Sequence, residues 1–139
     1  MTGPYELEPI EPQIRTEEAP DDAVLVVRAG PLAVEKLLEH ARRRETVFSY
    51  RGMPMTSVSV DATVGPWTLE AILRDRLWSR SSYGACPVAG LRQAGFVLLP
   101  THEVPHYDVV LSEPIGPEAA RLLALFGEPL HNPYKRRWR

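Results

Sequence analysis

A chain of 139 residues suits one domain and leaves little room for two, and 44% apolar with 24% charged residues is an ordinary globular balance. One cysteine excludes an internal disulfide, no apolar run nears the roughly 20 residues of a membrane span, and the acidic N-terminus lacks the apolar stretch of a secretory signal, so the cytoplasm is the expected compartment. The formal charge of −2 divides unevenly: residues 1–22 hold seven acids and one base, leaving 15 bases against 11 acids, a surplus that tolerates a polyanion without requiring one.

Residues 1–20 read as an acidic, proline-rich arm. Pro4, Pro9, Pro12 and Pro20 stand among glutamates with scattered Leu and Ile, too little apolar surface to offset ordering entropy. The arm is either extended or a segment that docks on a partner or across the domain's own groove. Residues 21–131 form the expected single domain, and 132–139 a basic tail that either touches RNA or an acidic partner or is simply solvated.

Within the domain, Ala23–Arg28 is a continuous β-branched run, a buried strand. Gly30-Pro31 ends it and opens a helix in which Val34, Leu37, Leu38 and Ala41 share one face and Arg42, Arg43 and Arg44 fall in the last turn. Thr46–Tyr50 and Met55–Asp61 alternate like strands and are expected to pair through Arg51–Pro54. In the second run Ser57, Ser59 and Asp61 form a polar face expected to look out of the core. Thr68–Trp78 and Pro87–Ala94 read as helices, Phe96–Leu99 and His106–Leu111 as strands. A last helix has Pro117 in its first turn and Gly127 as terminator. The expected class is α+β, order β-α-β-β-α-α-β-β-α, with a mixed or mainly antiparallel sheet flanked by helices.

His102-Glu103-Val104-Pro105-His106 matches the zinc-protease pattern H-E-x-x-H, which requires a helix to set both histidines on one face. Pro105 removes a helical hydrogen bond and biases Val104 away from helix, so that reading is refused. A loop and strand could still bring His102, His106 and Asp108 together, but no fourth ligand can be named and no metal is expected. Cys86, ahead of a helix, is either an activated thiol or a small buried residue.

The strand at 106–111 is more informative. Tyr107, Val109 and Leu111 face one way, and His106, Asp108 and Val110 the other, which sets an imidazole beside a carboxylate at a strand mouth. Such a pair either exchanges protons near neutral pH or is a strand-end contact satisfied by loop backbone. Arg28, before Gly30, and Arg51, before Gly52, suit bidentate phosphate recognition or, equally, surface ion pairs.

An arginine-bearing first strand, a serine-bearing middle strand and the late segment His106-Tyr107-Asp108-Val109-Val110 leading to Glu113-Pro114 resemble the layout of ADP-ribosyltransferase-like bacterial toxins. The resemblance implies an ADP-ribosyltransferase-like fold, NAD as cofactor, and a protein partner of the antitoxin kind. It implies Arg28 on the NAD phosphate or ribose, with Arg51 as a second cation, and Ser57 or Ser59 shaping the nicotinamide pocket. His106, Tyr107 or Asp108 would line the reaction centre. That family's glutamate has no match here, so Asp108 or Glu113 would substitute. Two alternatives stay open: a metal-independent RNA-cleaving toxin using His106, Asp108, Arg28 and Arg51, and a non-catalytic antitoxin, immunity protein or adaptor.

Overall fold

The structure, a computed structural model, describes residues 8–29 and 33–136. Twelve elements follow in order: β1 (Val24–Ala29), α1 (Val34–Glu45), β2 (Ser49–Tyr50), β3 (Met53–Pro54), β4 (Ser57–Ala62), α2 (Leu69–Asp75), β5 (Ser82–Pro87), α3 (Val88–Gln93), β6 (Val97–Leu99), β7 (His106–Val110), α4 (Ile115–Phe126) and β8 (Leu130–His131). The class is α+β: an antiparallel six-stranded sheet, ordered β6-β7-β4-β1-β5-β8, with four helices and a separate β2-β3 hairpin.

The alternation read from sequence decides which face each strand buries. Leu25 and Val27 of β1, Val58 and Val60 of β4, and Tyr107 and Val109 of β7 pack on Leu37 and Ala41 of α1, Leu91 of α3 and Leu122 and Phe126 of α4. On the other face, Val26 and Tyr83 meet Ile72, Leu73 and Leu77 in and just after α2. Thr68 caps α2, its hydroxyl accepting from Ala71 N–H, one of the orphan donors of a helix start. Gly127 stops α4 at φ 66°, a conformation that costs glycine little.

Several expectations change. The hairpin closes on Met53–Pro54 rather than on Met55–Asp61, through Arg51 and Gly52 with φ of 53° and 79°. The longer run is thereby freed to become β4 and pair with β7 over five residue pairs. Ser82–Pro87, where no strand is expected and Pro87 is expected to open a helix, is a full strand paired along all of β1. Cys86 is buried in the main core, and burial raises its thiol above the ordinary cysteine value. Pro31, the expected first residue of α1, lies outside the described residues. The serine face of β4 turns away from the main core yet is covered: Ser57 and Asp61 are buried and Ser59 half-buried.

The arm, described from residue 8, lies along the domain. Ile10 bridges Phe48, Ile14 bridges Thr101, and Ala19 is 2% exposed among core residues. The C-terminal end is also tied down. Asn132, 1% exposed, donates through Nδ2 to the carbonyls of Leu73, Leu77 and Arg80, satisfying acceptors left open beyond α2. Among the described residues, no helix is long and apolar enough to cross a membrane.

Candidate functional site

The centre of the sheet is split. β1 and β4 pair only at Leu25–Ala62 and Val26–Asp61, after which the strands diverge. Into the gap comes α1: the Ser59 backbone N–H donates to His40 Nε2 at 3.0 Å, a bond that a fully zipped β1 would otherwise supply. The divergence leaves a cleft of about 410 Å³ lined by Val27, Arg28, Ala33, Lys36, Leu37, His40, Arg44, Val58, Ser59 and Arg80. Among the described residues neither Arg28 nor Arg80 forms an ion pair, whereas Lys36 meets Glu39 at 3.5 Å on the exposed side. A concave surface carrying unpaired guanidinium groups attracts anions and presents phosphate oxygens with a matching fork of donors.

Ser59 connects this cleft to a chain of hydrogen bonds. The β4–β7 register sets Ser59 opposite Asp108, and Asp61 opposite His106. Ser59 Oγ lies 2.5 Å from His106 Nε2. On the far side of the ring, Nδ1 is 3.0 Å from Thr101 Oγ1 and 3.3 Å from the Thr101 carbonyl, which can only accept, an arrangement that assigns the ring proton to Nδ1. Nε2 is therefore a free base aimed at the Ser59 hydroxyl. Thr101 Oγ1 in turn donates to Asp108 Oδ2 at 2.7 Å. Every donor in the sequence Ser59, His106, Thr101, Asp108 points the same way, toward the carboxylate.

Asp108 is fully buried and well satisfied. Arg44 Nη2 lies 2.8 Å from Oδ1 and 2.9 Å from Oδ2, and Ser57 Oγ donates to Oδ1 at 3.1 Å. Arg44 Nε also donates to Ser57 Oγ at 3.2 Å, so one guanidinium lines the cleft and anchors the relay. Burial is the main reason His106 titrates below the ordinary histidine value; Arg44 and His102 push the same way, while Asp108 and the bond to the Thr101 backbone oppose. Burial, then Arg44, likewise lowers His40. Both shifts favour the neutral imidazole, the state a general base needs.

His102, at φ 56°, stacks edge-on against both His106 and Phe48 with ring centroids 5.0 Å away in each case. His102, His106 and Asp108 do converge, with one ligand atom from each within 4.8 Å of the others. A cation there would have to compete with Arg44, Ser57 and Thr101 for the Asp108 oxygens, so the geometry suits proton relay better than metal capture.

The residues singled out from sequence thus divide. Arg28 and Ser59 line one cleft, His106 and Asp108 stand behind Ser59, and Ser57 is buried beneath as a bond to Asp108. Tyr107 points into the main core, 1% exposed, on the sheet face opposite His106 and Asp108. Arg51 is exposed in the hairpin turn, stacked 5.1 Å from the Tyr50 ring centroid and outside the cleft. Glu113 is an exposed residue 4.0 Å from Arg42 and takes no part in the relay. Thr101, His40 and Arg44 were missed. The arginine was read as charge at a helix end, and nothing local marks a threonine five residues from a histidine as its partner. Comparison with protein-family models, curated proteins and solved structures returns no match.

Proposed function

We propose that the chain is a small transferase or hydrolase that holds a phosphate-bearing nucleotide in the β1–β4 cleft and uses Ser59, activated by His106, as its reacting group. The observation that carries this reading is Ser59 itself, which lines a cationic cleft and hydrogen-bonds the free base of a neutral histidine. Arg28, Arg80 and Lys36 would seat the phosphates. As the Ser59 oxygen attacks an electrophilic carbon or phosphorus, its proton passes to His106 Nε2, and the imidazolium keeps donating through Nδ1 toward Thr101 and Asp108. The logic is that of a serine–histidine–aspartate triad with a threonine hydroxyl between the last two members.

NAD is the first candidate substrate, because the resemblance nominated Arg28 and Ser59 for its binding and both line the cleft. In that case nicotinamide leaves as the C1′–N bond breaks and the serine oxygen takes the ribose carbon, from which water or an acceptor hydroxyl then displaces it, with the proton held on His106 returning to Ser59. Calorimetry with NAD, ADP-ribose and ATP, paired with chromatography of released nicotinamide, tests the proposal. Ser59→Ala should keep binding and lose turnover, whereas Arg28→Ala and Arg80→Ala should weaken binding. Absence of binding for every phosphate-bearing nucleotide at millimolar concentration would refute it. A toxin role adds a further expectation: expression arrests growth, and Arg28→Ala or His106→Ala relieves the arrest.

A further inference from the structure

The N-terminal arm bears directly on the relay. Arg15, the only base among its first 22 residues, crosses beneath the loop that carries Thr101 and His102. Its Nη1 donates to the Thr101 carbonyl at 3.0 Å and to the His102 carbonyl at 3.1 Å. The arm's backbone holds the same loop: Arg15 N–H donates to the Pro100 carbonyl at 2.7 Å, and His102 N–H donates to the Gln13 carbonyl at 2.9 Å. The guanidinium also stacks on Tyr107, with Cζ 4.9 Å from the ring centroid. Its Nε and Nη2 are buried and have no hydrogen-bond partner among the described residues. A charged group is seldom buried with donors unmet, so its position needs a reason beyond fold stability.

We propose that Arg15 is a positioning residue for His106, holding the Thr101–His102 backbone so that the Thr101 carbonyl and hydroxyl fix the imidazole and free Nε2 for Ser59. The physical argument is geometric. The Thr101 carbonyl takes a hydrogen bond from Arg15 and stands 3.3 Å from His106 Nδ1, so one oxygen is shared between arm and relay. Holding the base matters because a displacement of about 1 Å is costly to a reaction that depends on its position. The arm is in this view part of the site, and the acidic charge around Arg15 belongs to a strap rather than to a partner-binding tail. The catalytic meaning of the inference rests on the Ser59–His106 reading above; the structural coupling does not.

The test is nitrogen-15 imidazole NMR on the full chain. The parent should show His106 protonated at Nδ1. Arg15→Met keeps an apolar stem against Tyr107 but cannot bond the two carbonyls. It should lose the Nδ1–H preference of His106 and speed exchange of the His102 amide about tenfold or more. The groups facing His106 are His102, Asp108, Arg44 and the Thr101 carbonyl, and none of these residues is itself substituted. Arg92→Ala serves as control. It releases Asp21, bonded at 2.7 Å at the far end of the same segment, without touching the Thr101 loop, and should leave His106 unchanged. If Arg15→Met does not fold, Arg15→Lys, which keeps the charge but not the fork, should show the same changes in weaker form. A folded Arg15→Met or Arg15→Lys protein with parental His106 behaviour overturns the inference, as does an Arg92→Ala effect of equal size. If His106 responds while no nucleotide is bound or turned over by the parent, the coupling stands and the proposed function falls.

Discussion

The Asp108 carboxylate offers the sharpest energetic test, because it is fully buried and each of its oxygens is engaged. Asp108→Asn keeps the shape and removes the charge, leaving the Arg44 guanidinium, only 15% exposed, without its counter-ion. Removing one member of a buried pair costs about 3–5 kcal/mol. Asparagine can still accept through Oδ1 from Ser57 or Thr101, but its NH₂ must face a donor, so a loss of at least about 3 kcal/mol is expected. For a chain of this size that corresponds to a fall in Tm of about 10 °C. Urea denaturation followed by circular dichroism gives the free energy directly. Arg44→Met strands the carboxylate instead and should cost a similar amount. The double variant should cost less than the two combined, by about 1–3 kcal/mol, since neither charge is then left alone. A loss below about 1 kcal/mol for Asp108→Asn, or strict additivity in the cycle, would show that the pair is not the electrostatic anchor described.

Other outcomes follow from the same geometry. The two lowered histidines make stability depend on pH with a definite sign. Well above 6.5 both states of His40 and His106 are neutral and nothing changes; as pH falls through 6.5 the unfolded chain takes up protons that the folded chain resists, so stability drops until the folded values are passed. The urea midpoint should therefore fall between pH 7.5 and 5.5, and by less in His106→Gln. Thr101→Val cuts the link from His106 to Asp108 and leaves a buried carboxylate oxygen short of one donor, a loss of about 1–3 kcal/mol in the same assay. Asn132→Ala abandons three carbonyls around the end of α2 and should lower the urea midpoint by a comparable amount, with protection of the Arg76 and Leu77 amides reduced in hydrogen exchange. Leu122→Ala, at a fully buried position of α4, should cost about 2–5 kcal/mol.

What could be read beforehand follows from the range over which each signal acts. Periodicity is local, and it placed α1, α2, α3 and α4 within a few residues of where they lie, with Thr68 and Gly127 marking real ends. It also separated Tyr107 and Val109 from His106 and Asp108 correctly by face, since alternation is a property of one strand. Pairing between strands is not local. Met55–Asp61 looks like the return arm of a hairpin, yet the two-residue stretch Met53–Pro54 closes that turn and β4 crosses to β7, some fifty residues on. Ser82–Pro87 hides because glycine and proline, and to a lesser degree alanine, are poor strand formers, and its pairing with β1 overrides that preference. The site shows the same divide. Ser59, His106 and Asp108 were visible as polar positions on two strands, but their alignment required the β4–β7 register. Arg44 could not be told from its neighbours Arg42 and Arg43, whose recorded ion partners are glutamates on or near the surface of α1. The depth of burial of Arg44 is set by which turn of the helix meets β4, and that is a tertiary fact.

The short ladder between β1 and β4 has a mechanical side. β4 and β7 share five residue pairs and β1 and β5 share six, while the seam between these blocks holds two, closed at one end where Thr63 N–H donates to the Val24 carbonyl and Val24 N–H donates to Thr63 Oγ1. Within the sheet the two halves meet like the covers of a book bound near Asp61 and Ala62, with α1 packed across both. A rotation about that spine would change the width of the opening at Arg28 and Ser59 without breaking a strand. A bound phosphate bridging Arg28 on one cover and Ser59 on the other would act as a clasp. Ligand occupancy would then be felt as slower opening of the whole sheet, far from any atom it touches.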